Sequence, residues 1–465
     1  MCGIAGFCNF KEDFEENTDY WNFRLEKMRA VLAHRGNDAR GRYLKKHIGL
    51  SHSRLAIRDI LCGDQPMTRT HNGYDYTICY NGEIYNTDEL IPELSENGFV
   101  CSTTSDTEVI LYAYIHWGAD FVNRLNGIFA FAIWDAAKSQ LLLYRDRVGV
   151  KPLFYAIRGD SLVFGSEPKA CFAHPAVKPE LDKQGLQELL AIGPAHTSGL
   201  SLFKDLFEVL PGHFMIYSRD GLHDETYWEL TSREHTESYR DTVAHTRFLV
   251  EDAIKRQMVS DVPVCTFLSG GIDSSIVTAI AANYMNTRGK TLNTFSFDFK
   301  DNDRYFKANA FQPERDLPYV NRMLEEYETA HAYLECDENS LFKALFAAVD
   351  AKDMPGMTDV DSSLLYFCSL VSRKNKVALT GECADEIFGG YPWFYRKELL
   401  ERYGFPWSSD VSPRLALLRD DVALELDLSG YQAFRYEKSR SKAPLLYGET
   451  GEDESRRIIG YLNIK

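Results

Sequence analysis

The sequence lacks the features that would place it in a membrane, on nucleic acid or outside the cell. No apolar run reaches the length of about 18 residues that a membrane-spanning helix needs. The start, MCGIAGFCNFKEDFEE, has neither the basic segment nor the long apolar core of a signal peptide. Acidic residues outnumber basic ones by 68 to 52, and the formal net charge of -16 argues against nucleic acid or an anionic membrane surface as the main partner.

Paired cysteine motifs are absent as well. The ten cysteines are scattered without a C-x-x-C pair, which argues against a disulfide framework and against a zinc site. They predict reduced thiols in a cytoplasmic protein. With 465 residues, 45% apolar residues and no repeat or low-complexity tract, the chain is expected to fold into two or three globular domains.

The two halves of the chain differ in pattern. Up to about residue 215, short alternating runs and turns are interrupted by helical stretches, which predicts an α+β domain. Further along, continuous apolar runs alternate with helical stretches, which indicates a parallel sheet. We therefore predict a first domain over 2–215, a hairpin and linker over 216–242, and a second domain over 243–465.

The stretch FLSGGIDSS (267–275) leads from an apolar run into a helix. Its serine and two glycines leave the backbone free to curl, so its amides and the start of the helix could hold an anion. A plain turn in which Asp273 or Ser274 caps the helix fits equally well. The stretch is not the lysine-containing P-loop.

A second stretch, TGECADEIFGGY (380–391), crowds three carboxylates, Glu382, Asp385 and Glu386, at the end of an apolar run. A divalent cation would relieve their repulsion, and a solvated acidic turn is the alternative. Because ligands of open parallel sheets bind at the carboxyl ends of the strands, the two stretches together predict a site for ATP and Mg²⁺.

The N-terminal MCGIAGF places Cys2 directly after the initiator methionine. A free cysteine usually behaves as a small buried apolar residue, so this is the ordinary interpretation. Once methionine is removed, however, Cys2 carries its own α-amine, whose ordinary pKa of about 7.7–8.0 suits a base that activates the thiol.

These motifs resemble those of the glutamine-dependent asparagine synthetases. SGGIDSS followed by TGECADEIFGGY is similar to their synthetase half, supported by 301–320 and 353–367, and MCGIAGF with 34–41 and 145–155 is similar to their glutaminase. The likeness spans nearly the whole chain. It implies a class II glutamine amidotransferase domain, an N-terminal nucleophile (Ntn) sandwich with αββα layers. An α/β parallel-sheet ATP-pyrophosphatase domain would follow it.

The resemblance implies roles for residues of the first domain. Cys2 would attack the glutamine amide, form a glutamyl thioester and release ammonia. The Asn81 side chain and the Gly82 amide would stabilise the tetrahedral intermediate. The residues that would bind glutamine are Arg54, Asn81, Glu83 and Asp106.

Each of these features also has an ordinary structural interpretation. Asn81-Gly82 is a typical sequence of a tight hairpin turn. Arg54 could form a surface ion pair, and Asp106 could cap a helix. Their joint occurrence behind an N-terminal Cys-Gly favours the functional interpretation.

In the second domain, the resemblance implies that ATP activates the aspartate β-carboxylate as β-aspartyl-AMP with release of pyrophosphate. Glu382 would orient or deprotonate ammonia, and Asp273 and Asp385 would bind Mg²⁺. The residues that would contact ATP and pyrophosphate are Leu268, Ser269, Gly270, Gly271, Asp273, Ser274, Phe297 and Gly381. The expected partners are glutamine, aspartate and ATP, with no nucleic acid and no membrane. Because members of the family often form dimers, the resemblance is also compatible with a homodimer.

The sequence departs from the family in three places. Asn37 stands where the family has proline. Cys383 stands where it has glycine, so the Cys383 side chain is expected to crowd a phosphate or to require a backbone φ below zero. The family continues well past RRIIGYLNIK (456–465), so we expect an incomplete synthetase domain.

Three functions stay open at this point. The first is asparagine synthesis with ammonia from glutamine. The second is a glutamine amidotransferase of the same architecture that acts on another carboxylate or hydrolyses glutamine alone. The third is a non-catalytic nucleotide-binding protein left by the early end of the chain.

Overall fold

The structure, a computed structural model, describes residues 1–194, 196–308, 314–400, 402–408, 410–446, 448 and 457–458. Parts of two segments singled out above, 309–313 and most of 456–465, lie outside the described residues. The chain divides into two compact units, Met1–Leu230 and Thr231–Lys465. None of the helices that the structure describes is long and apolar enough to cross a membrane.

The first unit contains two six-stranded antiparallel sheets. Its strands are β1 (Gly3–Asn9), β2 (Ala39–Lys45), β3 (Ile48–Arg54), β4 (Met67–His71), β5 (Tyr74–Ile84), β6 (Gly127–Asp135), β7 (Gln140–Arg145), β8 (Phe154–Arg158), β9 (Ser161–Gly165), β10 (Phe207–Glu208), β11 (His213–Ser218) and β12 (Gly221–Thr226). Its helices are α1 (Thr18–Ala30), α2 (Thr87–Glu96), α3 (Asp106–Trp117), α4 (Pro168–Phe172) and α5 (Lys183–Gln187). The strand orders are β10-β8-β9-β1-β3-β2 and β12-β11-β7-β6-β5-β4.

The two sheets pack face to face because alternate side chains of each strand point inward. Ile4 of the first sheet and Ala132 of the second belong to one buried apolar cluster. On the outer faces, α1 packs on the first sheet through Leu25, and α2 and α3 pack on the second through Leu94 and Ile110. The predicted αββα sandwich is confirmed.

In two places this unit differs from what the sequence suggested: at the Asn81-Gly82 dipeptide and at the end of the domain. The strand β5 continues through Asn81-Gly82, with Gly82 opposite Phe129 of β6, so this dipeptide is not a turn. The β11–β12 hairpin pairs with β7 in the second sheet. The first unit therefore extends past residue 215, where the sequence analysis placed the end of the first domain.

The second unit is built on a parallel sheet with the strand order β15-β14-β13-β16, which confirms the predicted α/β fold. Its strands are β13 (Val264–Phe267), β14 (Leu292–Phe299), β15 (Thr329–Cys336) and β16 (Val377–Leu379). Its helices are α6 (Tyr239–Arg256), α7 (Ile272–Asn286), α8 (Asn302–Tyr305), α9 (Leu317–Glu326), α10 (Glu338–Lys352), α11 (Thr358–Val371), α12 (Ala384–Phe388), α13 (Lys397–Leu400), α14 (Ser412–Leu415), α15 (Asp420–Leu426) and α16 (Leu428–Arg440). Since β13 and β16 are parallel neighbours, their carboxyl ends lie at the same edge of the sheet.

A buried carboxylate fixes the loop that precedes α3. Glu108 is fully buried and accepts hydrogen bonds from Arg69 Nε at 2.9 Å, from the Ser102 amide at 3.0 Å and from the Thr103 amide at 2.7 Å. The Ser102 and Thr103 hydroxyls donate to it as well. Burial alone would raise the pKa of Glu108, but these hydrogen bonds outweigh burial and hold the pKa at about 2.

Replacing Glu108 with alanine is expected to lower the free energy of unfolding by about 3–5 kcal/mol, because the partly buried Arg69 guanidinium and two amides lose their buried acceptor. The contribution is present above the ordinary glutamate pKa of about 4.3 and disappears as the pH falls toward 2, so the difference between the two proteins should shrink in acid. Chemical denaturation at several pH values measures it. The control is Glu93→Ala, which removes an exposed pair with Arg124 and should cost under about 1 kcal/mol. Equal losses in both variants would contradict the assignment.

Candidate functional site

The predicted nucleophile lies at the start of a central strand. Cys2 immediately precedes β1, which pairs with β3 on one side and with β9 on the other. The Leu55 amide donates to Cys2 Sγ at 3.4 Å, and the Cys2 carbonyl accepts from Arg35 Nε at 2.9 Å. Cys2 is half-buried. The residue is therefore fixed through both its side chain and its main chain.

The electrostatic environment of the N-terminus suits proton transfer. Burial raises the pKa of the Cys2 thiol, while the Leu55 contact and the charge of the α-amine oppose this rise. The pKa of the α-amine is lowered to about 5, chiefly by burial and also by the nearby cations Arg35 and Lys151, while the charge of Cys2 opposes this fall. This amine belongs to Met1, and removal of methionine would transfer the same role to the amine of Cys2. An uncharged amine beside a thiol can accept its proton.

A cavity of about 310 Å³, including its open mouth, lies beside Cys2. It brings together most of the predicted glutaminase residues from separate parts of the first unit. The lining residues are Cys2, Arg54, Leu55, Ile57, Arg58, Gly63, Gln65, Tyr80, Gly82, Glu83, Ser105, Asp106 and Thr107. Of the six residues predicted for the glutaminase site, only Asn81 is not part of this lining, although its two chain neighbours are.

The free edge of β5 presents amide groups on the side of the cavity. The Tyr80 amide donates to Gln65 Oε1 at 2.6 Å, and the Ile84 amide donates to Asp106 Oδ2 at 3.0 Å. Alternate amides of a strand point the same way, so the Gly82 amide between them points to this side too. On β6, the Phe129 amide donates to the carboxylate oxygen Oδ2 of Asp146 at 3.1 Å, and the Phe129 carbonyl accepts from the Asp146 amide at 2.8 Å.

The neighbouring residue supplies a second donor. Asn81 is 1% exposed, and its Nδ2 has no hydrogen-bond acceptor in the part of the chain that the structure describes. Such an unpaired buried donor is costly and needs a partner, which a substrate oxygen can provide. Position 82 has no room for a side chain, since a Cβ there would lie 2.7 Å from the Phe129 Cα. Together the two residues have the chemistry of an oxyanion hole.

Arg54 ends β3 with its guanidinium buried against the following loop. It donates to Asp64 Oδ1 at 2.9 Å, to the Ile60 carbonyl at 3.0 Å and to the Asp59 carbonyl at 2.5 Å. The Arg54 side chain is buried while the Asp64 side chain is largely exposed. The pair therefore joins a buried cation to a solvated carboxylate and is not a simple surface ion pair. A substrate carboxylate at Arg54 would compete with Asp64 for the same donors.

Asp106 is the first residue of α3, and its carboxylate is buried in the cavity wall. It accepts from the Tyr80 hydroxyl at 2.9 Å. The helix cap is Ser105, whose side chain accepts from the Thr107 amide, so Asp106 is free of the capping role considered above. Burial raises the pKa of Asp106, while Arg58, 3.9 Å away, lowers it.

Glu83 lines the same cavity as a second carboxyl group. Burial and the charge of Asp106 raise the pKa of Glu83 to about 8. The two carboxyl groups repel each other when both are ionised, so the ammonium group of an amino-acid substrate beside them would be favourable.

Three residues of this site, Arg58, Gln65 and Tyr80, could not be identified from the sequence. Arg58 pairs with Asp106 and also donates to the Ile84 carbonyl at 2.9 Å. Gln65 and Tyr80 hold the edge of β5 through the contacts above. None of the three stands in a position with a recognisable spacing, so only the folded chain identifies them. Asn37, the departure from the family's proline, is exposed.

In the second unit, FLSGGIDSS forms a tight turn between β13 and α7. Ser269 Oγ and Ser274 Oγ lie 3.0 Å apart, and Ser274 Oγ donates to the Gly271 carbonyl at 3.1 Å. Gly270 has a φ of +83°, and a Cβ there would lie 2.8 Å from the Tyr319 Cβ, so both conformation and space require glycine. The residue that caps α7 is Gly271, not Asp273 or Ser274.

The two predicted phosphate-site stretches meet at the edge of the sheet. A Cβ at Gly381 would lie 2.8 Å from the Cβ of Asp273 and from the amide nitrogen of Ser274, so the turn after β16 lies directly on the start of α7. Ser269 and Gly271 are exposed there. The loop can therefore admit an anion to the main-chain amides at the helix N-terminus.

The acidic turn adopts a conformation that the sequence analysis did not expect. Cys383 has a φ of +70°, so the expectation of a φ below zero is wrong. The left-handed conformation arises because Cys383 caps α12 at the point where the chain reverses after β16. Glu382 is exposed at the start of this turn, while Asp385 and Glu386 are half-buried.

The two predicted adenosine contacts lie next to the loop but differ in accessibility. Leu268 is 1% exposed, so its side chain is not accessible and only its main chain can face a nucleotide. The Leu268 carbonyl accepts a hydrogen bond from the Ser296 hydroxyl. Phe297 is half-buried and packs with Phe367 and Phe299, at ring-centroid distances of 5.3 and 5.5 Å.

The residues present fit Mg²⁺ only as part of a nucleotide complex. Among the described residues, no three His, Cys, Asp or Glu side chains form a metal-holding group. Mg²⁺ commonly uses one or two carboxylates together with phosphates and water, and Asp273 and Asp385 have that donor chemistry. Burial and the charges of Asp273 and Glu386 raise the pKa of Asp385, so a cation beside it would be favourable.

Comparisons with known proteins agree with both units. Residues 1–228 match the model of a glutamine amidotransferase domain, and residues 245–463 match the asparagine synthase model. Over 465 residues the chain is 47% identical to glutamine-hydrolyzing asparagine synthetase 3 of Bacillus subtilis (strain 168), covering 100% of this chain and 75% of that protein.

Two further relatives are more distant. Glutamine-hydrolyzing asparagine synthetase 1 of the same organism is 32% identical over 401 residues, covering 86% of this chain and 60% of that protein. Amidase chyE of Penicillium rubens is 30% identical over 482 residues, covering 100% and 68%. The chain belongs to the glutamine-hydrolysing asparagine synthetase family, with a glutamine amidotransferase domain followed by an asparagine synthase domain.

Proposed function

We propose that the chain makes asparagine from aspartate, using ATP and the ammonia that it releases from glutamine. The observation that carries the proposal is the buried Asn81 Nδ2, which has no acceptor among the described residues, next to Gly82 in the lining of the Cys2 cavity. A structural role for this region would not leave a buried amide without an acceptor. Family membership supplies the synthetase half.

In the first unit, the thiol of Cys2 attacks the amide carbon of glutamine and passes its proton to the α-amine. The developing oxyanion receives hydrogen bonds from Asn81 and Gly82. Asp106 binds the substrate ammonium, supported by Glu83, and Arg54 binds the carboxylate. Proton return to the amide nitrogen releases ammonia, and water hydrolyses the thioester to glutamate.

In the second unit, the loop 269–271 and the start of α7 bind the pyrophosphate portion of ATP. Aspartate attacks the α-phosphate through its β-carboxylate, so that pyrophosphate leaves and an acyl-adenylate forms. Ammonia then displaces AMP, with Glu382 orienting it. Asp273 and Asp385 would hold Mg²⁺, which neutralises phosphate charge. A homodimer stays a prediction from the family.

A second candidate is the amidation of another carboxylate by the same chemistry. It is favoured by the similarity of the whole chain to a protein named an amidase, Amidase chyE. The glutamine-hydrolysing residues would be shared, and only the acid that accepts ammonia would differ.

One experiment separates these functions. The protein is incubated with amide-¹⁵N glutamine, aspartate, ATP and Mg²⁺, and glutamate and ¹⁵N-asparagine are measured together by mass spectrometry. Labelled asparagine is the expected product. Glutamate without asparagine would favour another acid or an uncoupled glutaminase, and the absence of both products would contradict the proposal.

Asn81→Ala should lower the glutaminase kcat by about 10²–10³, because one oxyanion donor is lost. Its stability should change little, since the amide has no acceptor to lose. Asparagine synthesis from added ammonium serves as the internal control and should persist. The exposed Asn97→Ala is the matched control variant. Unchanged glutamine hydrolysis in Asn81→Ala would exclude Asn81 from the oxyanion site.

Asp385→Asn should weaken the use of Mg²⁺ without affecting glutamine hydrolysis. We expect the Mg²⁺ concentration that gives half-maximal AMP formation to rise by about tenfold, which corresponds to the loss of one of two carboxylate ligands. Asp420→Asn, at an exposed helix start, is the control. A normal Mg²⁺ requirement in Asp385→Asn would remove Asp385 from the proposed metal site.

A further inference from the structure

Lys151 is a buried cation that the glutaminase chemistry described above does not use. Its side chain is 8% exposed, and its Nζ lies 3.2 Å from the sulfur of Met1. In the described part of the chain, no carboxylate forms an ion pair with this ammonium. Burial of an unpaired ammonium is costly, so its retention calls for a function.

The turn that carries Lys151 is held rigidly. The carboxylate of Asp146 accepts from the Val150 amide at 2.9 Å and from the Lys151 amide at 3.0 Å. Arg145 Nε donates to the Lys151 carbonyl at 3.1 Å. Gly149, with a φ of +72°, completes the reversal. The main chain on both sides of the lysine is thus fixed, which directs its side chain toward the N-terminus.

The other cations near Cys2 already have carboxylate partners. Arg35 Nη1 lies 2.7 Å from Glu167 Oε1, and Arg54 Nη1 lies 2.9 Å from Asp64 Oδ1. Their positive charges are therefore largely compensated. The charge of Lys151 is not, and it acts on the N-terminus through a buried environment where screening is weak.

The groups that face Cys2 and Lys151 come from several elements of the first unit. They are the α-amine, Cys79, Arg35, Arg54, Glu83 and Asp146. Glu83 and Asp146 partly offset the lysine. Because Glu83 has a pKa of about 8, it is mostly protonated at neutral pH and adds little negative charge there.

We propose that Lys151 is a positioning residue of the glutaminase site, whose ammonium provides a fixed positive charge that favours loss of a proton from the Cys2 thiol and its α-amine. This inference rests on the proposed glutaminase function. A positive charge stabilises the deprotonated form of both groups, so the pair loses its proton at a lower pH. No new chemical step is required, since the proton still moves from sulfur to the amine and then to ammonia.

The test is the pH dependence of Cys2 alkylation by iodoacetamide in the full chain, which reports the thiolate. Tandem mass spectrometry of the N-terminal peptide, whose fragments distinguish Cys2 from Cys8, separates Cys2 from the other cysteines. Lys151→Met keeps an unbranched side chain without the charge. It should raise the midpoint of the alkylation profile by about one pH unit, so that the alkylation rate below the midpoint falls roughly tenfold. Lys151→Arg should behave like the original protein.

The matched control is Arg147→Met, which removes a positive charge from the same turn at an exposed position. It should leave the alkylation profile unchanged. In the glutaminase assay, the acidic limb of kcat/KM should move to higher pH in Lys151→Met alone, while synthesis from added ammonium stays the same. Near-UV circular dichroism verifies that each variant is folded.

The outcomes distinguish this inference from the proposed function. An unshifted alkylation profile in folded Lys151→Met, or an equal shift in Arg147→Met, would overturn the role of Lys151 even if glutamine is hydrolysed normally. A shifted profile in a protein that hydrolyses no glutamine would support the electrostatic role and contradict the glutaminase function. If Lys151→Met does not fold while Lys151→Arg behaves normally, the alkylation profile of Lys151→Gln is measured instead. A profile shifted to higher pH in that variant supports the role of Lys151, and an unshifted profile overturns it.

Discussion

The glutaminase site depends on a strand edge that no other strand covers. β4 pairs with β5 only from Tyr74 to Ile78, so the later amides of β5 must find partners elsewhere. Gln65 takes one of them and Asp106 takes another, and the Gly82 amide between them is left for a ligand. Backbone groups that would ordinarily pair within a sheet thus become binding groups. The edge that would serve the proposed oxyanion site is accessible because this partner strand is short.

The layered fold could be predicted because its signals are local. Continuous apolar runs followed by helices indicated β13, β14, β15 and β16 of a parallel sheet, and the structure contains them. The turn interpretation of Asn81-Gly82, which had been the alternative, does not apply, since the preference of this dipeptide for a turn is weaker than the pairing of an eleven-residue strand with β6. The membership of the β11–β12 hairpin in the second sheet depends on pairing with β7 about 70 residues earlier, which no local pattern encodes.

The candidate site was predictable only as far as its motifs extend. Cys2 and Asp106 stand in recognisable stretches, whereas Arg58 gains its meaning from lying 3.9 Å from a carboxylate on another element. The conformation of Cys383 shows the reverse case. Cys383 stands where the family has glycine, which the sequence shows. The left-handed backbone at this residue is imposed by the reversal between β16 and α12, at a cost of about 1–2 kcal/mol. Long-range contacts and imposed backbone geometry are the two kinds of information that the pattern of residues does not contain.

The central position of β1 has a consequence for biosynthesis. This strand pairs with β3 and also with β9, where Ala5 lies opposite Gly165. One side of β1 therefore stays unpaired until a strand made about 160 residues later is available. In the described chain every strand of the first two sheets is translated before β13, the first strand of the third. A nascent chain paused between β12 and β13 already contains the residues of the proposed thiol site and lacks the proposed phosphate loop, so the order of translation would provide the proposed means to release ammonia before the means to consume it.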